Sequence, residues 1–328
     1  YHNTGEGGLS PYHLKHGGDL VWQIGTGYFG CRTDDGHFND EMFSEKSKIP
    51  SVKMIEIKLS QGAKPGKGGI LPAAKNTPQI AKIRAVKPYT DVISPPAHKE
   101  FHDADGLLDF ITRLRNLSGG KPVGIKMCIG SFKEFEQICE AMVKRKTYPD
   151  FITVDGSEGG TGAAPLEFAN SVGTPMKEGI AFVYNTLCGY GIKEHIKIIS
   201  SGKIITGFHM ARAMSLGADV CNTARGMMLA LGCIQALSCN TNHCPVGIAT
   251  QDPTLERGLH IEDKSLRIRN FHRETIKSFE EILAAAGVKS AQELHRDLIF
   301  RRTSMQEVKS FAEIYPYVKS KSLLKKAS

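Results

Sequence analysis

Three of the eight cysteines lie within twelve residues, in the segment LGCIQALSCNTNHCPVGIATQD. Five and four residues separate Cys233, Cys239 and Cys244, and a proline follows the last of them. Cys239 and Cys244 flank the polar run NTNH, where a core thiol has no apolar neighbour, whereas Cys233 lies in an apolar helical pattern. Zinc would need His243 as a fourth ligand, which is awkward beside Cys244. The residues favour an iron–sulfur cluster, for which three thiolates suffice, over zinc or core packing.

Two loops upstream of these cysteines could bind a phosphate group. The segment from IKIISSGKIITG to LGADVCNTARG has the order strand, glycine turn, helix, strand and small polar turn. In a parallel barrel, the loops after strands seven and eight and a short helix N-terminus form such a site from backbone N–H groups. The alternative is that the glycines only turn the chain. The predicted phosphate-binding residues are Ser201, Gly202 and Lys203 in the first loop and Thr223, Ala224 and Arg225 in the second.

The elements that would position these residues alternate between β-rich segments and helical patterns. This alternation predicts βαβ units and a parallel sheet. Glycine-rich polar loops follow the strands, which favours a (β/α)₈ TIM barrel over an open doubly wound sheet with a single switch point. Beyond Pro253 we expect a long helix ending at Gly287 and a shorter one over 291–300, so residues 1–252 would form the barrel and 253–328 a helical extension packed on it. The predicted strands cover residues 20–25, 52–59, 123–128, 151–156, 196–201 and 219–224.

Composition limits the classes of partner. The net charge is +8, but the basic residues are dispersed among 34 acidic ones and no aromatic residues interleave with a basic stripe, which argues against nucleic acid. No apolar run approaches the roughly 18 residues of a spanning helix. Five cysteines lie singly in or beside apolar runs, as in a reducing compartment, so we expect a cytoplasmic protein.

Several motifs resemble a known family. The segments NTGEGG, QGAKPGKGGILP, ISPPAH, DGSEGGTGAAP and the cysteine segment are similar, in the same order, to the synthase domain of glutamate synthase, in the subgroup of FMN-binding glutamate synthase-like proteins. The resemblance runs from Asn3 to about Pro253. It implies a (β/α)₈ barrel with FMN at its mouth and a 3Fe-4S cluster on the three cysteines. It also implies reductive amination of 2-oxoglutarate, or a similar 2-oxo acid, to L-glutamate.

The resemblance also implies roles for individual residues. Lys126, in the apolar run GIKMC, resembles the family's lysine that stabilises the negative charge of reduced flavin near N1, and a cation in that run needs an anionic partner. Gln23 resembles the flavin-facing glutamine. The residues expected at the substrate are Glu158, where the family usually has aspartate, and Gly159, Gly160 and Thr161.

The chain also departs from the family pattern. Nothing in it resembles the amidotransferase domain that releases ammonia from glutamine, and Lys67 stands where glutamine-dependent enzymes have glutamate. Ammonia would then come from an amidotransferase partner, an upstream segment or solution, and electrons from ferredoxin or an NAD(P)H-oxidising subunit. Because NTGEGG corresponds to the end of strand two, we expect an upstream segment to complete the barrel. Alternatives are an N-methylglutamate synthase-like enzyme, a phosphate-binding barrel like IMP dehydrogenase, and a non-catalytic electron-transfer subunit.

Overall fold

Parallel strands form the central sheet of the structure, a computed structural model that describes residues 1–160 and 162–324. In this described part, seven strands follow the order β1-β2-β3-β6-β7-β8-β9, and two antiparallel pairs, β4–β5 and β10–β11, lie outside the sheet. The strands are β1 (His2–Asn3), β2 (Leu20–Ile24), β3 (Val52–Lys58), β4 (Ile70–Leu71), β5 (Val92–Ile93), β6 (Val123–Met127), β7 (Phe151–Asp155), β8 (Lys197–Ser201), β9 (Val220–Cys221), β10 (Phe300–Arg302) and β11 (Val308–Ser310). The predicted strands are confirmed, although β9 is shorter than expected.

The helices connect the strands and cover the sheet. In α5, for example, the Ser131 side chain caps the N-terminus and one face buries Phe135, Cys139 and Met142. The helices are α1 (Pro11–Leu14), α2 (Asp40–Ser47), α3 (Pro78–Arg84), α4 (Ala104–Leu117), α5 (Phe132–Arg145), α6 (Met176–Gly189), α7 (Gly207–Ser215), α8 (Arg225–Leu231), α9 (Pro253–Glu256), α10 (Ile261–Ala285) and α11 (Phe311–Ile314), with 3₁₀ turns at Ala73–Lys75, Lys193–His195, Ala291–Glu293 and Arg296–Leu298. Among the described residues, no helix has the length and apolar character needed to cross a membrane.

The sheet curls, so that its two edge strands approach each other. Neighbouring strands lie about 4.8 Å apart, so a flat sheet of this size would separate its edge strands by roughly 29 Å. Instead, the hydroxyl of Tyr1, next to β1, donates a hydrogen bond of 2.5 Å to Oδ1 of Asn222, next to β9. The curl confirms the predicted barrel architecture, and the described residues contribute seven parallel strands to it.

Each barrel strand has an outer and an inner face. Outward side chains such as Trp22, Ile55 and Ile152 pack against the helices in the main core. Inside the barrel, Val21 and Ile199 pack together with Phe151 as an apolar layer. The next inward positions toward the carboxyl ends are polar, because side chains alternate between faces along each strand. They are Gln23, Glu56, Lys126 and Thr153.

The C-terminal extension differs from the predicted pair of helices. The long helix is present as α10, which packs on α7 and α8. The second helix, predicted over 291–300, is wrong: two 3₁₀ turns and the strand β10 occupy this segment. The reason is tertiary, because the fully buried guanidinium of Arg296 donates to the carbonyl oxygens of Leu216 and Tyr315 and stacks on the ring of Tyr317.

Candidate active site

A buried carboxylate organises the polar layer inside the barrel. Glu56 is fully buried and accepts three hydrogen bonds from side chains on three other strands. The donors are Nδ2 of Asn3 at 2.8 Å, Nε2 of Gln23 at 2.6 Å and Oγ1 of Thr153 at 2.5 Å. The amide nitrogen of Gln23 is therefore held by Glu56, and its orientation at the centre of the barrel is fixed.

Lys126 has the anionic partner that its apolar run requires. Its Nζ lies 3.6 Å from Oδ2 of Asp155, at the end of the neighbouring strand β7. Burial lowers the pKa of Lys126, but the carboxylates of Asp155, Glu56 and Glu6 outweigh burial, so the net shift of this pKa is upward. Lys126 is thus a fixed positive charge close to the carboxyl ends of the strands.

The loops after β3 and β7 pack against each other through their backbones, next to the ion pair of Lys126 and Asp155. Oδ2 of Asp155 accepts a hydrogen bond of 2.9 Å from the N–H of Gly62, and the N–H of Ala63 donates to the carbonyl of Gly159. A Cβ atom at Gly62 would overlap the carbonyl oxygen of Gly156, so this approach requires glycine. The contact fixes the position of residues 156–160, and we call residues 156–160 and 162–165 the substrate loop, after the role predicted for this segment.

The predicted substrate residues occupy different environments. Gly159 is buried and Gly160 is exposed within the substrate loop. Oε2 of Glu158 accepts a hydrogen bond of 2.9 Å from the N–H of Met176, at the start of α6. The carboxylate of Glu158 therefore also stabilises a helix N-terminus. Thr161 lies outside the described residues.

The two predicted phosphate loops are neighbours. They follow the paired strands β8 and β9. Oγ1 of Thr223, in the second loop, donates a hydrogen bond of 2.7 Å to the carbonyl oxygen of Ile204, which follows the first loop. Nη2 of Arg225 donates a hydrogen bond of 3.2 Å to the carbonyl oxygen of Gly160, and Nη1 of the same residue lies 3.8 Å from Sγ of Cys233. The structure thus brings the two predicted loops together. It places Ser201 at the end of β8, Gly202, Lys203, Thr223 and Ala224 in the turns that follow β8 and β9, and Arg225 at the start of α8, beside the substrate loop and the first cysteine.

Cys239 and Cys244 lie together with Cys233 in a loop of residues 233–252, which we call the cysteine loop. Burial raises the pKa of Cys244, but backbone N–H groups, including those of Ala249 and Val246, outweigh burial and lower this pKa overall. This environment suits a thiolate ligand, because hydrogen bonds to sulfur stabilise the anion. In residues 1–160 and 162–324, however, no three His, Cys, Asp or Glu side chains are gathered in a group that could hold a metal ion.

A basic cavity of about 680 Å³ separates the substrate loop from the cysteine loop. Cys239 and the substrate-loop residues Gly162 and Pro165 form part of its wall. The carboxylate in the wall, that of Glu6, is already paired with Nζ of Lys58 at 2.9 Å. We call this space the anion cavity, because its remaining charged lining residues are the cations Lys64, Lys67, Lys75 and Arg84.

Several of these residues were missed by the sequence predictions. Alternation along VKMIEIKL places Glu56 and Lys58 on one face, and alternation along FITVDG does the same for Thr153 and Asp155. This signal could have identified the polar layer. Lys75 had no such signal, because its partners lie more than 150 residues away in sequence.

Comparisons with known proteins agree with the motifs. A family model described as the conserved region in glutamate synthase matches residues 1–289. The glutamate synthase large subunit-like protein YerD of Bacillus subtilis is 46% identical over 88% of this chain and 54% of its own length. The archaeal glutamate synthase (NADPH) of Methanocaldococcus jannaschii is 34% identical over 89% of this chain and 54% of its own length. The ferredoxin-dependent glutamate synthase of Antithamnion sp. is 35% identical over 84% of this chain and 17% of its own length. The chain thus spans about half the length, or less, of these relatives.

Proposed function

Because the chain belongs to the glutamate synthase family, we propose that it carries the synthase site of a flavin-dependent oxidoreductase that converts 2-oxoglutarate to L-glutamate. The observation that carries this proposal is the anion cavity, which lies between the substrate loop and the cysteine loop and is lined by four cations. Glu6 in its wall is close enough to Lys126 to contribute to the raised pKa of that lysine. Substrate and flavin sites would therefore be neighbours.

The residues of the barrel mouth suit FMN. Lys126 offers a positive charge to the flavin ring, Gln23 offers an amide fixed by Glu56, and the two phosphate loops lie side by side at the ends of β8 and β9. When bound, FMN would supply a hydride to the imine that forms from 2-oxoglutarate and ammonia with loss of water. Cys233, Cys239 and Cys244 are the proposed ligands of an iron–sulfur cluster, for which their side chains would have to move together. The chain's own contribution is to position these groups and to balance their charge.

The anion cavity suits a dicarboxylate. Two carboxylates carry two negative charges, and Lys64 and Arg84 lie in the wall with Lys67 and Lys75. Burial lowers the pKa of Arg84, and Glu6 opposes this shift. A substrate carboxylate would stabilise such partly desolvated cations, since charge-assisted hydrogen bonds are stronger than neutral ones. The amine donor is ammonia, from solution or a partner, and the electron donor is a ferredoxin or an NAD(P)H-oxidising subunit.

One preparation tests the proposal. Anaerobically purified full-length protein should show flavin and iron–sulfur absorption, and the dithionite-reduced protein should form glutamate from 2-oxoglutarate and ammonium. Flavin without iron would contradict the cluster. A protein with neither would favour the phosphate-binding barrel, and iron without flavin would favour an electron-transfer subunit. A strong preference for methylamine over ammonium would indicate N-methylglutamate synthesis.

A pair of α3 variants tests the cavity. Arg84→Met should raise the KM for 2-oxoglutarate about 10-fold or more, as expected for a lost charge-assisted hydrogen bond. The control is Lys82→Met, because Lys82 is exposed on the same helix and does not line the anion cavity. Equal KM values for Arg84→Met and the wild-type protein would place the substrate elsewhere.

A further inference from the structure

Lys75 connects the anion cavity to the cysteine loop. It ends the 3₁₀ turn Ala73–Lys75 and lines the cavity. Its Nζ donates hydrogen bonds to the carbonyl oxygens of Cys239 at 2.8 Å and of Ala249 at 3.0 Å. These contacts cross from the loops near β4 to a segment more than 150 residues later. Lys75 therefore contacts both the anion cavity and the cysteine loop.

The two carbonyl groups lie at the ends of one short segment, residues 239–249, which includes Cys244. A second contact holds this segment near its C-terminal end, where Oγ1 of Thr250 donates a hydrogen bond of 2.6 Å to the carbonyl oxygen of Asn242. The N–H of Ala249 is one of the groups that lower the pKa of Cys244. Releasing Ala249 from Lys75 would thus loosen the surroundings of Cys244 as well.

The ammonium of Lys75 has bonding capacity left for a ligand. An ammonium group has three N–H donors, and the two carbonyl oxygens use two of them. Both partners are neutral, so they do not balance the positive charge. Because Lys75 lines the anion cavity, a bound anion can accept the third hydrogen bond while the first two remain in place.

We propose that Lys75 couples occupation of the anion cavity by a carboxylate ligand to the order of the cysteine loop. A bound carboxylate holds the ammonium in place, and the ammonium holds both ends of residues 239–249. Because such coupling is reciprocal, an ordered cysteine loop raises the affinity for the ligand by the same factor. The inference rests on the proposed function only in assigning a dicarboxylate to the cavity.

Amide hydrogen exchange of the full-length protein tests this coupling. The probe is glutarate, a five-carbon dicarboxylate that cannot be aminated, and its binding is measured separately by calorimetry. Saturating glutarate should slow exchange in residues 239–252 by about 5-fold or more, the lower end of typical coupling. Lys75→Met should abolish this effect at saturation, and Lys75→Arg should retain it.

Lys67→Met provides the matched control. Lys67 also lines the anion cavity, but its Nζ lies 5.8 Å from the ring of Phe168 and its contacts within the described residues do not reach the cysteine loop. This variant should bind glutarate more weakly and still show protection at saturation. Thr250→Val tests reciprocity without changing Lys75, because it removes the hydrogen bond to the carbonyl oxygen of Asn242. This variant should weaken glutarate binding, although Thr250 does not line the cavity.

The outcomes separate the two proposals. If the wild-type protein does not bind glutarate, both the dicarboxylate site and the coupling are wrong. If glutarate binds without protecting residues 239–252, only the coupling is wrong. Undiminished protection in Lys75→Met, or unchanged glutarate affinity in Thr250→Val, would also overturn it.

Discussion

The ammonium of Lys126 lies 3.6 Å from Oδ2 of Asp155, on the neighbouring strand of the barrel. The same oxygen of Asp155 accepts the N–H of Gly62, in the loop after β3. One carboxylate therefore joins the proposed flavin-facing cation to the backbone contact that fixes the substrate loop. This arrangement connects the proposed flavin site to the proposed substrate site.

Replacing Lys126 with methionine should make bound flavin harder to reduce. The variant keeps most of the side-chain volume, so the fold should persist, but it removes the positive charge that would stabilise reduced flavin. The measurement is the flavin reduction potential, which should fall in Lys126→Met and remain close to the wild-type value in Lys126→Arg. An unchanged potential in Lys126→Met would show that Lys126 does not face the flavin.

Replacing Glu56 should destabilise the barrel from within. Glu56→Ala leaves the buried side-chain donors of Gln23 and Thr153, and the half-buried donor of Asn3, without their acceptor, and each unpaired buried group costs about 1–3 kcal/mol. We expect a loss of at least about 2 kcal/mol in the free energy of unfolding in urea. Glu56→Gln keeps one oxygen and should lose less. Equal stability of the two variants would argue against the hydrogen-bond network as the cause.

Serine at any one of Cys233, Cys239 and Cys244 should remove bound iron. Three ligands leave none to spare for a three-iron cluster, so each single variant should lose the cluster. Iron per chain and visible absorption of anaerobic protein measure this. The control is Cys188→Ser, because Cys188 lies on α6 outside the cysteine loop. A wild-type protein that holds one zinc ion per chain and no iron would show that these cysteines bind zinc and not an iron–sulfur cluster.

His98 should make the protein less stable in mild acid. Burial lowers the pKa of His98 from 6.5 to about 4, and the ring contacts the Tyr28 hydroxyl at 3.0 Å and the carbonyl of Lys58 at 2.9 Å. Above pH 6.5 the ring is neutral in both states, so it adds no pH dependence. As the pH falls from 6.5 to about 4, the unfolded chain binds the proton first, and the free energy of unfolding decreases.

The full decrease from this residue is roughly 3 kcal/mol, since each pKa unit corresponds to about 1.4 kcal/mol. Urea unfolding at a series of pH values measures it. In His98→Gln, which can still donate to the Lys58 carbonyl, the part of the pH dependence between 4 and 6.5 should become smaller. A slope identical to that of the wild-type protein would assign the acid sensitivity to other groups.

The sequence by itself determined the barrel strands and the order of the loops. Strand segments such as VKMIEIKL and FITVDG are short, apolar and rich in β-branched residues, so local preference and burial favour the same state. The carboxyl ends of parallel strands meet at one end of a barrel, which is why the order of the segments predicted that the glycine-rich loops would gather there. The spacing of the cysteines and the order of the motifs identified the family.

Only the tertiary structure decided which charges meet. The three donors to Glu56 come from separate strands, Lys75 reaches Cys239 across more than 150 residues, and Arg296 prevents a second helix by burying its guanidinium against Leu216. Such contacts depend on the curl of the sheet and on the crossing of distant loops. Local periodicity carries no information about them, because it reports which face a side chain occupies and not which side chain lies opposite.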